Sequence, residues 1–176
     1  GYNDKRLMYE ESLKMPFVAR FPNEIPAGSL SDDILLNVDF APTLLDYAGI
    51  DAPAQMQGSS GRGLLKGETP EDWQSSMYYR YWMHMPPRHK IVAHYGVRND
   101  RYKLIYYYGE ALGSSGTQDI SIPPEWELYD VELDSYELVS VYSDPEYAEI
   151  VTKLKAEIER TGATVARDER HKLIYF

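Results

Sequence analysis

Four β-prone runs between residues 75 and 132 constrain the fold of this chain more than any other feature of its sequence. They read SSMYYRYWM, HYGVRND, YKLIYYYG and EWELYDVE, and they are rich in residues that favour the pleated, half-buried surface of a sheet. Residues 98–101, Arg-Asn-Asp-Arg, suit a tight turn between the second and third runs. The sequence therefore predicts an antiparallel sheet of about four strands.

An amphipathic helix follows this sheet along the chain. Asp144 suits the N-cap, Pro145 the first helical position and Gly162 the C-terminal stop. One face of the helix is apolar and comprises Tyr147, Ile150, Val151, Leu154 and Ile158. Because such a face must be buried, we expect the helix to pack on the sheet as an α+β unit.

The pattern ahead of Trp73 is different, so we place a domain boundary there, with residues 1–72 in one part and 73–176 in the other. MPFVARFP, residues 15–22, is typical of a short buried strand. NVDFAPTLLDYAGI, residues 37–50, predicts a helix that Gly49 ends, with Leu44 on its apolar face.

Composition excludes several classes of protein. The net charge is −10, with 18 basic against 28 acidic residues, which argues against nucleic acid or an anionic membrane as a partner. No apolar run reaches the roughly 18 residues that cross a bilayer. The chain has no cysteine, so disulfides and thiolate metal sites are excluded and the compartment stays open: periplasmic, secreted or cytoplasmic. We expect any signal peptide to lie upstream.

Positive charge is concentrated in one stretch, residues 80–103. It contains six basic residues against Asp100 alone, and three of the four histidines. Imidazolium and guanidinium groups donate well to sulfate, phosphate or carboxylate, so His89, His94 and Arg98 are candidates for an anion-binding mouth. The alternative, that these are ordinary polar residues at a strand end, is equally consistent with the pattern.

Lys5 is a second candidate. It lies among Asp4, Arg6, Glu10 and Glu11, directly ahead of the run predicted to be a buried strand. Ligands of α/β proteins collect at strand ends and the adjacent loops. A lysine there can bind an anionic group or protonate a leaving oxygen, although a solvated lysine is the ordinary alternative.

Six segments in order resemble the C-terminal part of a formylglycine-dependent sulfatase of the alkaline-phosphatase-like superfamily. They are GYNDKRLMYEESLKMPFVARFP, NVDFAPTLLDYAGI, MQG with LLKGETPEDW, HYGVRNDRYKLIYYY, WELYDVELD and DPEYAEIVTKLKAEIE. The resemblance implies the tail of a large α/β domain in residues 1–72, followed by a small antiparallel sheet with a C-terminal helix. Two turns depart from the usual pattern, at MQGSSGRGLLKG and DSYELVSVY.

The resemblance also implies chemistry that this chain does not carry. Such enzymes use a formylglycine made from the Cys or Ser of a C/S-x-P-x-R motif, and a calcium ion held by Asp and Asn or Gln side chains. Ser121 has Pro123 at the right offset but Glu125 where Arg is required. We therefore expect no metal ligand in this chain, with nucleophile and metal ligands upstream, and no activity from the chain alone.

By the same resemblance, Lys5 matches the lysine that contacts the sulfate, and His94 a residue near the active-site mouth, with His89 and Arg98 as weaker candidates. The expected function is hydrolysis of a sulfate ester or N-sulfate on a sugar or aryl substrate. Two alternatives remain: a phosphoester or phosphonate hydrolase of the same superfamily, and a non-catalytic glycan-binding or subunit-contact module. Self-association through the run at 15–22 is a further expectation.

Overall fold

The computed structural model describes residues 6–168, with side chains described up to residue 162. These residues form two compact units. The first combines residues 6–15 with residues 76–168, and the second is Pro16–Ser75. Among the helices described, none combines the length and apolar character that a bilayer crossing demands.

The first unit is built on a four-stranded antiparallel sheet, as the sequence predicted. Its strands follow chain order: β1 (Ser76–Tyr81), β2 (His94–Asn99), β3 (Tyr102–Tyr107) and β4 (Glu125–Asp130). The Asn99 side chain accepts the Arg101 and Tyr102 N–H groups, at 3.1 and 2.7 Å, and so fixes the predicted turn between β2 and β3.

The predicted helix packs on one face of this sheet. Leu154 and Ile158 of the helix at Ala148–Asp168 form a core with Val97, Leu104 and Leu128 of the strands. A short 3-10 turn, Pro145–Tyr147, precedes the helix. The predicted cap is confirmed, because the Asp144 carboxylate accepts the Glu146 N–H at 2.9 Å.

The predicted stop at Gly162 is wrong, since the helix continues to Asp168. A Cβ atom at position 162 would lie 3.3 Å from the Tyr78 ring of β1. The glycine therefore allows close approach of the helix to the sheet, and it does not end the helix.

The second unit is mostly irregular. It contains the 3-10 turn Asn37–Asp39 and the helices at Phe40–Tyr47 and Arg62–Lys66. The buried Asp39 carboxylate organises it by accepting the Leu36 and Ser59 N–H groups, at 2.8 and 2.9 Å, and the Gln74 amide at 2.7 Å.

Two predictions for this region are wrong. Residues 15–22 form no strand, and Val18 is 90% exposed, because no described segment pairs with them. Leu44 is also exposed, whereas Pro42 and Thr43 are the buried positions of its helix. Hydrogen bonds determine which face of this helix is buried. The Thr43 hydroxyl donates to the Asp39 backbone carbonyl and accepts the Gly61 N–H.

Candidate functional site

Residues 6–13 lie against the face of the sheet opposite the C-terminal helix. Met8 is fully buried there with Ile105 and Tyr129, and the short helix α1 (Glu10–Leu13) follows it. Gly96 of β2 makes room, because a Cβ atom at position 96 would lie 2.8 Å from the Met8 sulfur. The segment that follows Lys5 is therefore anchored in the core.

A buried ion-pair network holds the same segment two residues further on. Lys103 is fully buried on β3, and its Nζ atom lies 2.8 Å from a Glu10 oxygen and 2.5 Å from a Glu137 oxygen. The Glu10 N–H donates to the other Glu137 oxygen at 2.7 Å. Burial opposes ionisation of Glu10, but hydrogen bonds from Arg98 and Lys103 outweigh it and lower the pKa of this carboxyl.

Arg98, one of the predicted anion-binding residues, is part of this network. Its Nε and Nη2 atoms donate to the two Glu10 carboxylate oxygens at 3.2 and 3.1 Å. A guanidinium that forms a two-point bond to a carboxylate is already neutralised. In this structure Arg98 positions the segment of residues 6–13.

His94 lies at the start of β2 in a cage of tyrosines. Its ring centroid is 5.9 Å from that of Tyr79, 5.6 Å from that of Tyr81 and 5.0 Å from that of Tyr107. The side chain is fully buried. Burial lowers the pKa of His94, although the carbonyls of Val92 and Arg6 partly oppose this shift. At neutral pH the ring is therefore uncharged, so the imidazolium that the sequence argument invoked is disfavoured.

The two ring nitrogens of His94 have different surroundings. Nδ1 lies 2.8 Å from the Val92 carbonyl oxygen, which assigns its proton to Nδ1. Nε2 makes no hydrogen bond of normal geometry within the described residues, although the Arg6 carbonyl acts on the ring. That carbonyl accepts the Tyr79 hydroxyl at 2.9 Å. The ring thus lies next to the residue that follows Lys5 in the chain.

The remaining predicted site residues are Lys5 and His89. Lys5 lies outside the described residues. His89 is half-buried in the connection between β1 and β2, where its N–H donates to the Pro86 carbonyl at 3.0 Å. Across residues 6–162 no group of three or more His, Cys, Asp or Glu side chains has the arrangement of a metal site.

A carboxylate among tyrosines is the element of this face that sequence reasoning missed. The Tyr9 hydroxyl donates to the Oε2 atom of Glu127 on β4 at 3.4 Å, and the hydroxyls of Tyr107 and Tyr129 act on the same carboxylate. Burial raises the pKa of Glu127, and the tyrosine hydroxyls partly offset that rise. Tyr107 links this group to His94. Alternation along EWELYD is consistent with Glu127 and Tyr129 on one face of β4, but Tyr9 and Tyr107 come from other segments.

Comparison with known proteins identifies the class. The sheet, the covering helix and the anchored N-terminal segment are those of the C-terminal portion of sulfatases of the alkaline-phosphatase-like superfamily. The profile of the family "N-sulphoglucosamine sulphohydrolase, C-terminal" matches residues 1–164. The chain belongs to this family.

Individual proteins similar to this chain are also sulfatases. An N-acetylglucosamine-6-O-sulfatase of Bacteroides thetaiotaomicron is 40% identical over 163 residues, covering 92% of this chain and 27% of the relative. A ulvan-active sulfatase of Formosa agariphila is 26% identical over 193 residues, covering 94% of this chain and 31% of the relative. The chain thus spans about a third or less of the length of these relatives.

One solved structure superposes closely. It is described as a complex with its substrate, D-glucosamine-2-N,6-O-disulfate, and has a TM-score of 0.80 and 38% sequence identity. The match covers 96% of this chain and 31% of that one. A phosphonate monoester hydrolase from Silicibacter pomeroyi, at 22% identity and a TM-score of 0.51, shares the fold alone.

Proposed function

We propose that the protein containing this chain is a sulfatase that removes a sulfate group from a glucosamine-type sugar. The observation that carries the proposal is the 40% identity to an N-acetylglucosamine-6-O-sulfatase across 92% of this chain. The solved structure with a disulfated glucosamine supports the same substrate class. In this proposal, residues 1–72 complete a larger α/β domain, and residues 73–176 form the subdomain beside it.

Lys5 contacts the sulfate in this proposal and neutralises or protonates the leaving oxygen. The assignment is supported by the anchors that follow Lys5 in the chain: the Arg6 carbonyl bonded to Tyr79, the buried Met8 and the ion-paired Glu10.

His94 is a candidate residue of the sugar-binding site in this proposal, where its fully buried ring supports the tyrosines around it. His89 remains a weaker candidate for substrate contact. Arg98 acts through Glu10 as a positioning residue.

Formylglycine and a divalent metal, calcium in the resemblance, supply the nucleophile and the polarisation of the sulfate in such enzymes. The chain has no cysteine, Ser121 is followed by Glu125 where the motif requires Arg, and the described residues offer no metal-binding cluster. The residues at hand therefore do not fit either group, and the roles assigned here end at binding and proton transfer.

The test is sulfate release by the full-length protein from glucosamine 6-sulfate, N-sulfoglucosamine and 4-nitrophenyl sulfate, with phenylphosphonate esters as the rival substrate. Lys5→Ala should lower kcat by about 10²- to 10⁴-fold, the usual range for a general acid. Lys14→Ala, which removes an exposed lysine, is the matched control. Turnover of the phosphonate in preference to every sulfate would overturn the proposal.

A further inference from the structure

A row of side chains crosses the sheet on the face that carries the C-terminal helix. Arg80 of β1 pairs with Tyr95 of β2, Tyr95 with Tyr106 of β3, and Tyr106 with Trp126 of β4. The preceding row, which includes Val97 and Leu104, is the one that the helix covers. The row that contains Arg80 lies two residues further along each strand, on the same face as the helix and on the face opposite His94.

A cavity of about 580 Å³ lies over this row. Tyr95, Tyr106 and Tyr108 supply aromatic surface, and Ile122 and its neighbouring prolines supply the other wall. The volume is within the range of small-molecule sites, roughly 300–1,000 Å³. Arg80 and Glu110 are its charged lining residues.

The loop of residues 109–124 forms that other wall, and it is fixed by hydrogen bonds. The Ile122 N–H donates to the Gly109 carbonyl at 2.9 Å, and the Gln118 N–H donates to the His84 carbonyl at 2.9 Å. The buried His84 ring accepts the Ala93 N–H at Nδ1, so Nε2 carries the proton and donates to the Ile120 carbonyl at 2.7 Å. The cavity is thus built by tertiary bonds.

Arg80 differs from the other arginines on the strands and the turn between them. Arg98 is paired with Glu10, and Arg101 with Asp130. In the described part of the chain, Arg80 forms no ion pair with a carboxylate, and its buried Nε atom has no hydrogen-bond partner. Its guanidinium instead lies 3.3 Å from the centre of the Trp82 ring and 5.7 Å from that of Tyr108.

This combination is complementary to one class of ligand. A guanidinium held among aromatic rings is a strong two-point donor for a sulfate or carboxylate. Tyrosine faces offer apolar surface, and their hydroxyls offer hydrogen bonds. The exposed Glu110 at the edge can accept a hydroxyl or amine of the same ligand.

We propose that the cavity lined by Arg80, Tyr95, Tyr106 and Tyr108 binds an acidic monosaccharide unit, with its sulfate or carboxylate on Arg80 and its ring against the tyrosines. The site goes beyond the proposed function, because it lies on the sheet face opposite His94 and requires no turnover. A uronate and a sulfated hexosamine share the necessary chemistry, so the experiment compares both.

The experiment is a ligand-observed NMR titration of the full-length protein with D-glucuronate and D-glucosamine 6-sulfate. N-acetylglucosamine is the neutral control, and inorganic sulfate tests the anion alone. D-glucuronate is the decisive probe because it carries no sulfate to hydrolyse, and its binding is therefore independent of the proposed function. Arg80→Gln should weaken binding by about tenfold or more, the effect of losing a hydrogen-bonded charge.

Arg88→Gln is the matched control, since it removes the same charge from an exposed residue of the connection between β1 and β2. It should leave affinity unchanged. If Arg80→Gln unfolds, Arg80→Lys keeps the charge without the planar fork and should retain only part of the affinity. Tyr108→Leu should weaken the binding of both acidic sugars and leave the binding of inorganic sulfate unchanged.

Three results would each overturn the proposal. They are undiminished glucuronate binding by a folded Arg80→Gln or Arg80→Lys protein, equal affinity for the neutral sugar, and binding of inorganic sulfate as tight as that of either acidic sugar. Absence of sulfatase activity with intact, Arg80-dependent glucuronate binding would contradict the proposed function and leave this site standing.

Discussion

Met8 occupies the space above Gly96 that the side chain of any other residue would require. A Cβ atom at position 96 would lie 2.8 Å from the Met8 sulfur and 2.2 Å from the Leu104 carbonyl oxygen. The glycine of β2 and the methionine of the N-terminal segment are therefore a matched pair. Through this pair, the sheet fixes the backbone three residues after Lys5.

Gly96→Ala should destabilise the protein and release the segment of residues 6–13. Overpacking of a full core costs about 1–3 kcal/mol, and the contact with the Leu104 backbone leaves little room for relaxation. Hydrogen exchange at Met8 and Tyr9 should accelerate, as measured by mass spectrometry. Gly113→Ala is the control for general exchange, because no atom lies within 4 Å of a Cβ there, although its positive φ adds local strain. Unchanged exchange in Gly96→Ala would show that the pair does not hold the segment.

Lys103→Met should be strongly destabilising. It removes the positive charge that Glu10 and the buried Glu137 share, and breaking a buried ion pair costs about 3–5 kcal/mol. Lys153→Met, on the exposed side of the C-terminal helix, should change stability by less than about 0.5 kcal/mol. Denaturant unfolding measures both variants. Equal midpoints would mean that the network is energetically neutral.

Stability should fall as pH drops below about 6.5, the ordinary pKa of histidine. Because the pKa of folded His94 is lowered, the unfolded chain binds a proton first in this range, and protons therefore favour unfolding. The neutral His94 ring therefore contributes to the free energy of unfolding above pH 6.5. This contribution is lost as the pH falls toward the pKa of His94 in the folded protein. His94→Asn keeps a donor for the Val92 carbonyl and should flatten this part of the melting temperature profile. A profile identical to that of the parent protein would refute the assignment.

His84→Ala should loosen the loop of residues 109–124. The variant loses both ring bonds, to Ala93 and Ile120, and leaves a buried N–H and a carbonyl without partners. Leaving the buried Ala93 N–H without a partner costs about 1–3 kcal/mol, whereas Ile120 is exposed and its carbonyl can bond water. Limited proteolysis should then cut within the loop, whereas His89→Ala should remain resistant there. If the loop in His84→Ala resists proteolysis, the His84 ring is not what holds the loop in place.

The exposed apolar side chains near the start of the second unit predict self-association of the isolated chain. Phe17 is 47% exposed and Val18 is 90% exposed. Exposed apolar surface favours contact with another molecule. Sedimentation velocity should show a concentration-dependent rise in mass, which Val18→Lys reduces. A strictly monomeric chain at high concentration would contradict this prediction.

The architecture of the first unit could be predicted because local pattern and tertiary environment agree there. The four strands, the turn held by Asn99, the cap at Asp144 and the apolar helix face each depend on residues close in sequence. Gly162 shows the limit of such reasoning. Its sequence context indicates a helix stop, but its role is set by Tyr78, 84 residues away.

The candidate site was only partly predictable for the same reason. Sequence gathered His94 and Arg98 into one basic stretch, and both lie on β2. It gave no indication that Glu10, 88 residues away from Arg98, neutralises that guanidinium. Nor could it show that burial among tyrosines keeps His94 uncharged. The electrostatic state of a side chain depends on its neighbours in space.

The amino-acid sequence by itself determined the strands, the turn between β2 and β3 and the covering helix, because periodicity and turn chemistry are local properties, and it indicated the family through six segments that resemble it. Only the tertiary structure decided which charges are already paired. It assigned Arg98, Arg101 and Lys103 to carboxylates from other segments and left Arg80 among aromatic rings. The physical reason is that pairing and burial depend on distances between residues remote in sequence, and folding alone brings those residues together.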